Sequence, residues 1–103
     1  MDDELSIRIL RDGSTATVAA AGEIDLSTVD ELRSAVTDAA DDETDKLRLD
    51  LTGIEFIDST GLGGLLELRS TLRSRNVTLE IDAGEGPVRQ AMEITGLSEL
   101  LAR

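Results

Sequence analysis

Ile54-Glu55-Phe56-Ile57-Asp58-Ser59-Thr60-Gly61-Leu62-Gly63-Gly64-Leu65-Leu66 decides the fold, because it starts with a strand's composition and ends with a helix's. Upstream, Leu47, Leu49 and Leu51 alternate with Arg48 and Asp50, which marks a strand with one apolar and one polar face. Downstream the apolar pattern changes to Leu62, Leu65, Leu66 and Leu72, with Arg69, Arg73 and Arg75 gathered toward the far end. Cations there suit the negative end of a helix dipole, and Asn76 is placed to close the helix. The change from strand to helix falls on Asp58-Ser59-Thr60-Gly61, which sets a hydroxyl, a carboxylate and unpaired backbone N–H groups together at a helix start.

Working outward toward the N-terminus, Leu5, Ile7 and Ile9 alternate with Ser6 and Arg8. Asp12-Gly13-Ser14 then turns into Thr15-Ala16-Thr17-Val18-Ala19, which reads as a β-hairpin. Gly22-Glu23-Ile24-Asp25 is expected as a loop, with Ser27 or Thr28 capping a helix and Asp30 or Glu31 completing a capping box. Val29, Leu32, Val36 and Ala39 share one face of that helix. The acidic run Asp41-Asp42-Glu43-Thr44-Asp45 is a solvated loop; it lacks the Gly and the distal Glu of an EF-hand loop.

Toward the C-terminus, Val77, Leu79 and Ile81 form a further strand. Pro87 and Gly96 bracket a helix carrying Val88, Ala91, Met92 and Ile94, and a tail from Leu97 to Arg103 adds a last helical turn or two. The order β-β-α-β-α-β-α-α defines a single small α/β domain spanning residues 1–103. Its sheet is four-stranded, mixed and mostly parallel, and the alternation within the strands places the helices chiefly on one face.

Composition narrows the chemistry. The 103 residues allow one two-layer core, and that core is aliphatic because Phe56 is the only aromatic residue. Without Cys or His, disulfides, thiolate metal sites, the common zinc sets and a Ser-His-Asp triad are all excluded. A formal charge of −12 opposes direct binding to nucleic acid; it favours a basic protein partner or simply keeps the protein soluble, as in a salt-adapted host. The acidic start Met1-Asp2-Asp3-Glu4 is unlike a signal peptide and no apolar run reaches membrane-spanning length, so a cytoplasmic protein without membrane contact is expected.

Ser59 or Thr60 could serve only as a helix N-cap. The glycines at 61, 63 and 64 argue for more, since each costs about 1 kcal/mol against Ala inside a helix. They imply a close approach, by a neighbouring element or by a partner. A phosphate on Ser59 would gain about 1–2 kcal/mol from the helix start. Beside Asp58, at roughly 5 Å and an effective dielectric of about 20, each pair of unit charges would repel by about 3 kcal/mol before screening. Such a phosphate could be held without refolding while changing the field a partner meets. A parallel sheet would bring Glu23 and Asp25 to the same edge as Asp58.

Ile57-Asp58-Ser59-Thr60-Gly61-Leu62-Gly63, with Gly22-Glu23-Ile24-Asp25 and Glu93-Ile94-Thr95-Gly96-Leu97, resembles the bacterial anti-sigma-factor antagonists of the STAS superfamily. The likeness runs from Leu5 to Leu101, with Met92 standing where relatives often carry an aromatic residue. The resemblance implies partner switching. The unphosphorylated antagonist would bind an anti-sigma factor that is also an ATP-dependent serine kinase, releasing a sigma factor. Phosphorylation of Ser59 would end binding, and a serine phosphatase would reset it. By the same resemblance Asp58 and Ser59 form the switch, Thr60, Gly61, Leu62 and Gly63 shape the surface that touches the kinase, and Glu23 and Asp25 help to dock it.

The same fold could instead serve as an accessory subunit of a lipid-transport complex or as a stress-signalling scaffold. An enzyme using Asp50, Glu55 and Asp58 with a metal, or Ser59 as nucleophile, is disfavoured because no base is present to activate the serine and successive strand carboxylates point to opposite faces. Gly61-Leu62-Gly63-Gly64 lacks the Lys-Ser/Thr of a P-loop, so no nucleotide cofactor is expected, and no metal.

Overall fold

The computed structural model describes residues 5–100. The elements are β1 (Leu5–Asp12), β2 (Thr15–Ile24), α1 (Val29–Ala39), β3 (Lys46–Ile57), α2 (Ser59–Ser74), β4 (Thr78–Asp82), α3 (Pro87–Ile94) and a 3-10 turn at Ser98–Leu100. The remainder of the expected C-terminal turn, 101–103, lies outside the described residues. Strand order is β1-β2-β3-β4, with β1 antiparallel to β2 and the other pairs parallel. This is the mixed, mostly parallel sheet expected.

Alternation along β3 sets the two layers. Leu47, Leu49 and Leu51 are fully buried beneath the helices, while Lys46, Arg48 and Asp50 between them stay partly solvated on the open face. Each leucine so buried contributes about 1.5–3 kcal/mol. Val29, Leu32, Val36 and Ala39 form the buried stripe of α1, as their spacing requires. On α2 the buried stripe is Gly61, Gly64, Leu65, Leu68 and Leu72, whereas Leu66 is exposed. Leu65 and Leu72 are thus buried as expected and Leu62 packs partly against the core, while the expectation for Leu66 is corrected, the inner face being completed by Gly61, Gly64 and Leu68. Met92 is fully enclosed, its flexible thioether filling the core beneath α3.

The C-terminal ends of α2 and α3 and the start of α3 follow their sequence signals. Asn76, at φ 63°, closes α2: Val77 N–H donates to the Leu72 carbonyl at 2.8 Å and Asn76 N–H to Arg73 at 3.0 Å. That pair of bonds is a Schellman motif, and Gly96 ends α3 the same way, with Leu97 N–H donating to Met92 at 2.8 Å. Pro87 opens α3. Arg75 ties the two long helices together, its guanidinium donating to the carbonyls of Thr37 and Ala40 where α1 ends.

One boundary differs from expectation. Gly22, Glu23 and Ile24 belong to β2 and not to a loop, pairing with Ile54, Phe56 and Ile57 across two register shifts. Ile24 is fully buried, and its burial carries the strand past Gly22.

Candidate functional site

The carboxyl ends of β2 and β3 lie side by side, because Asp58 N–H donates to the Ile24 carbonyl at 3.2 Å. The sheet therefore brings the Glu23–Asp25 segment to the edge from which α2 starts. Asp58 leaves β3 in extended conformation (φ −107°, ψ −174°), and its Oδ1 accepts from the Gly61 N–H at 2.8 Å. Asp58, and not Ser59 or Thr60, is the N-cap of α2.

Ser59 and Thr60 are consequently released from capping. Both are exposed in the first turn of α2, and neither hydroxyl has a hydrogen-bond partner among the described residues. Their N–H groups precede the first intrahelical bond, which Leu62 donates to the Asp58 carbonyl at 3.0 Å.

The three glycines divide by function. A Cβ on Gly61 would stand 2.7 Å from the Ile57 side chain, 2.8 Å from that of Ile24 and 2.9 Å from the Ile24 carbonyl oxygen. A Cβ on Gly64 would overlap the Val29 side chain. These two let α2 sit down on β2, β3 and α1. Gly63 faces open space, with nothing within 4 Å of its missing Cβ. It borders a shallow groove of about 360 Å³ between the starts of α1 and α2, together with Leu26, Val29, Thr60 and Glu67. Leu62 is half-buried against the core, so it shapes the helix start from behind.

Asp25 has a different local role from Asp58. Its Oδ1 accepts from the Ser27 hydroxyl at 2.8 Å, the Ser27 N–H at 3.0 Å and the Thr28 hydroxyl at 3.3 Å. The Ser27 hydroxyl, aided by the Ser27 N–H and Thr28, holds the carboxyl below its ordinary pKa. Thr28 occupies the N-cap of α1 but does not cap it, so no capping box forms. Its buried hydroxyl instead donates to the Glu23 carbonyl at 2.8 Å and accepts from the Asp25 N–H at 3.0 Å. Asp25 thus organises the turn, and Glu23 is the exposed carboxylate of the pair.

The sequence reading did not single out Leu26. It stands 77% exposed at the tip of this turn, where an apolar residue between Asp25 and Ser27 was the available signal. The acidic 41–45 run is folded around Asp41, which accepts from the Glu43 N–H and the Thr44 hydroxyl and pairs with Arg11. Among the described residues no three carboxylates form a metal-holding group, and no helix is long and apolar enough to cross a membrane.

A family model described as Mlab, STAS domain, matches residues 7–102. The chain belongs to the STAS domain family. Curated relatives include the anti-sigma-B factor antagonist of Listeria monocytogenes, 34% identical over 88% of this chain and 80% of the relative. The anti-sigma-B factor antagonist of Staphylococcus aureus is 32% identical over 82% of this chain and 78% of its own. Among solved structures, an anti-sigma factor antagonist from Mycobacterium paratuberculosis superposes with a TM-score of 0.78 at 24% identity, covering 98% of this chain and 86% of that one. Unphosphorylated SpoIIAA, an anti-sigma factor antagonist, gives 0.77 at 18% identity over 94% and 86%. These superpositions establish that the STAS fold is shared. The curated relatives carry the names of regulatory antagonists, not of enzymes.

Proposed function

We propose that this STAS protein is an anti-sigma factor antagonist whose binding is switched off by phosphorylation of Ser59. The observation that carries the reading is the exposed, unbonded Ser59 hydroxyl directly after the capping Asp58. The names of relatives more than 30% identical over most of the chain support the partner class.

The exposed start of α2 supports the following sequence of events. An anti-sigma factor with serine kinase activity docks over the start of α2, where Thr60 and Gly63 are accessible and Glu23 offers a carboxylate to a basic surface. With ATP bound to that partner, a base of the kinase takes the Ser59 hydroxyl proton as the oxygen attacks the γ-phosphorus and ADP departs. The phosphoserine then carries close to two negative charges beside Asp58. The N–H groups of the helix start offset part of the repulsion from Asp58, and the partner meets a surface whose charge has changed by about two units; every 1.4 kcal/mol of lost interaction is about tenfold in affinity. A serine phosphatase restores the binding form, and the released sigma factor is the output. Both partners meet the protein in the cytoplasm.

The test is a capture experiment from host lysate with the unphosphorylated protein and with Ser59→Asp, followed by mass spectrometry. An ATP-binding anti-sigma factor retained by the first and lost by the second is expected. A transporter subunit or scaffold retained equally by both would replace this reading with that of an accessory STAS subunit.

A further inference from the structure

The two edges of the sheet are finished differently. β4 has five residues and lies against the Ser98–Leu100 turn. β1 has eight, pairs with β2 without a bulge from Leu5↔Gly22 to Asp12↔Thr15, contains no Pro, and carries its charges as Arg8, Arg11 and Asp12. Its outer edge has no strand partner among the described residues. Natural edge strands are normally shortened, bulged, charged with Lys or covered, because their free N–H and C=O groups invite another strand. Here two apolar side chains near the strand's C-terminal end are also exposed, Ile9 at 50% and Leu10 at 67%.

The faces of β1 are assigned by its contacts. Leu5 and Ile7 pack into the core, and the Arg11 guanidinium donates to the Ala39 carbonyl at the end of α1. Arg8, Leu10 and Asp12 therefore project from the open face. Among the described residues, neither Arg8 nor Asp12 has a side-chain partner.

We propose that β1 is a self-association edge, two copies pairing their β1 strands antiparallel about a twofold axis at Leu10. Directly opposed residues in antiparallel strands project from the same face. With Leu10 opposite its own copy, Arg8 of each chain faces Asp12 of the other, so both unpaired charges are matched twice by one symmetry operation. Moving the axis to Ile9 would set Arg8 against Leu10 and Asp12 against Ser6, and both charge pairs would vanish. This reciprocity is what an isologous contact requires, and it selects a second copy over a foreign strand. The four-stranded sheets then join into one continuous sheet. The charge of −12 on each chain opposes association, but that long-range repulsion is screened beyond about 8 Å in physiological salt, whereas the matched pairs are in contact. The result is a weak, reversible dimer that does not depend on Ser59.

The test uses charge exchange. Sedimentation velocity over a concentration series should show the wild type in monomer–dimer equilibrium. Arg8→Asp and Asp12→Arg, each folded by circular dichroism, should weaken the dimer by about tenfold or more, since two attractive cross-strand pairs become repulsive. An equimolar mixture of the two variants should dimerise again, because both carboxylates of one chain then face both guanidinium groups of the other. A wild type that remains monomeric at its highest soluble concentration, single variants that dimerise as well as the wild type, or a mixture that fails to recover the dimer would each overturn the proposal.

Discussion

Two strand-to-helix junctions stand side by side in this molecule, built from nearly the same residue types and used in opposite ways. At the β2–α1 junction, Asp25, Ser27 and Thr28 bond one another, and the Thr28 hydroxyl is buried between the Glu23 carbonyl and the Asp25 N–H. At the β3–α2 junction, Asp58 alone caps the helix through Gly61, and the hydroxyls of Ser59 and Thr60 are left at the surface. A hydroxyl that holds a turn together cannot be modified without breaking that turn. One that bonds to nothing can be modified without breaking a hydrogen bond. The first junction is a fastening, whereas the second leaves its two hydroxyls open at the surface.

The sharpest way to break the comparison is Gly61→Ala, which forces a methyl against the Ile24 carbonyl, backbone that cannot swing aside. It should destabilise by about 1–3 kcal/mol, and Gly63→Ala, opening onto space, should instead stabilise by up to about 1 kcal/mol. Paired urea melts would show the two variants moving in opposite directions. Next comes Thr28→Val, which leaves the Glu23 carbonyl and Asp25 N–H without their hydroxyl partner and should cost about 1–3 kcal/mol in the same assay. Asp58→Ala removes one cap bond and should cost about 1 kcal/mol. Ser59→Ala should change stability by less than about 0.5 kcal/mol, and a cost like that of Thr28→Val would erase the distinction between the junctions.

Acid titration separates the two aspartates. The Asp25 carboxyl is held below its ordinary pKa by the Ser27 hydroxyl, so its contribution to stability is complete above the unfolded value of about 3.9 and is lost as pH falls through the folded value. Asp41, held low by the Glu43 N–H, acts in the same direction. Melting temperature measured against pH should therefore decline on the acid side, and less steeply in Asp25→Asn. An identical acid limb in that variant would remove Asp25 from the fastening.

Much of this was legible in the chain. The leucine alternation of β3, the apolar stripe of α1 and the Asn76, Pro87 and Gly96 punctuation all carry a local physical cause and appear where that cause puts them. The Asp58-Ser59 junction was legible as a helix start, but not which residue caps it. Asp, Ser and Thr are all good caps, and the choice rests on where the extended backbone of β3 ends, which the Asp58–Ile24 hydrogen bond sets across the sheet. Of the α2 stripe only Leu66 was misassigned, for a related reason: Gly61 and Gly64 belong to the inner face, and a count of large apolar residues overlooks them. Thr28's inward turn depends on a carbonyl five residues earlier and has no signature of its own.

The central proposal is that Ser59 acts as a switch whose phosphate alters binding without altering the fold. The direct test is calorimetric titration of the anti-sigma factor with unphosphorylated and Ser59-phosphorylated protein, with amide spectra recorded on both forms. A loss of affinity of about tenfold or more on phosphorylation, with amide shifts confined to the start of α2 and its neighbours on β2, is the predicted result. Equal affinity for the two forms, or shifts spread through α1 and the sheet, would contradict it.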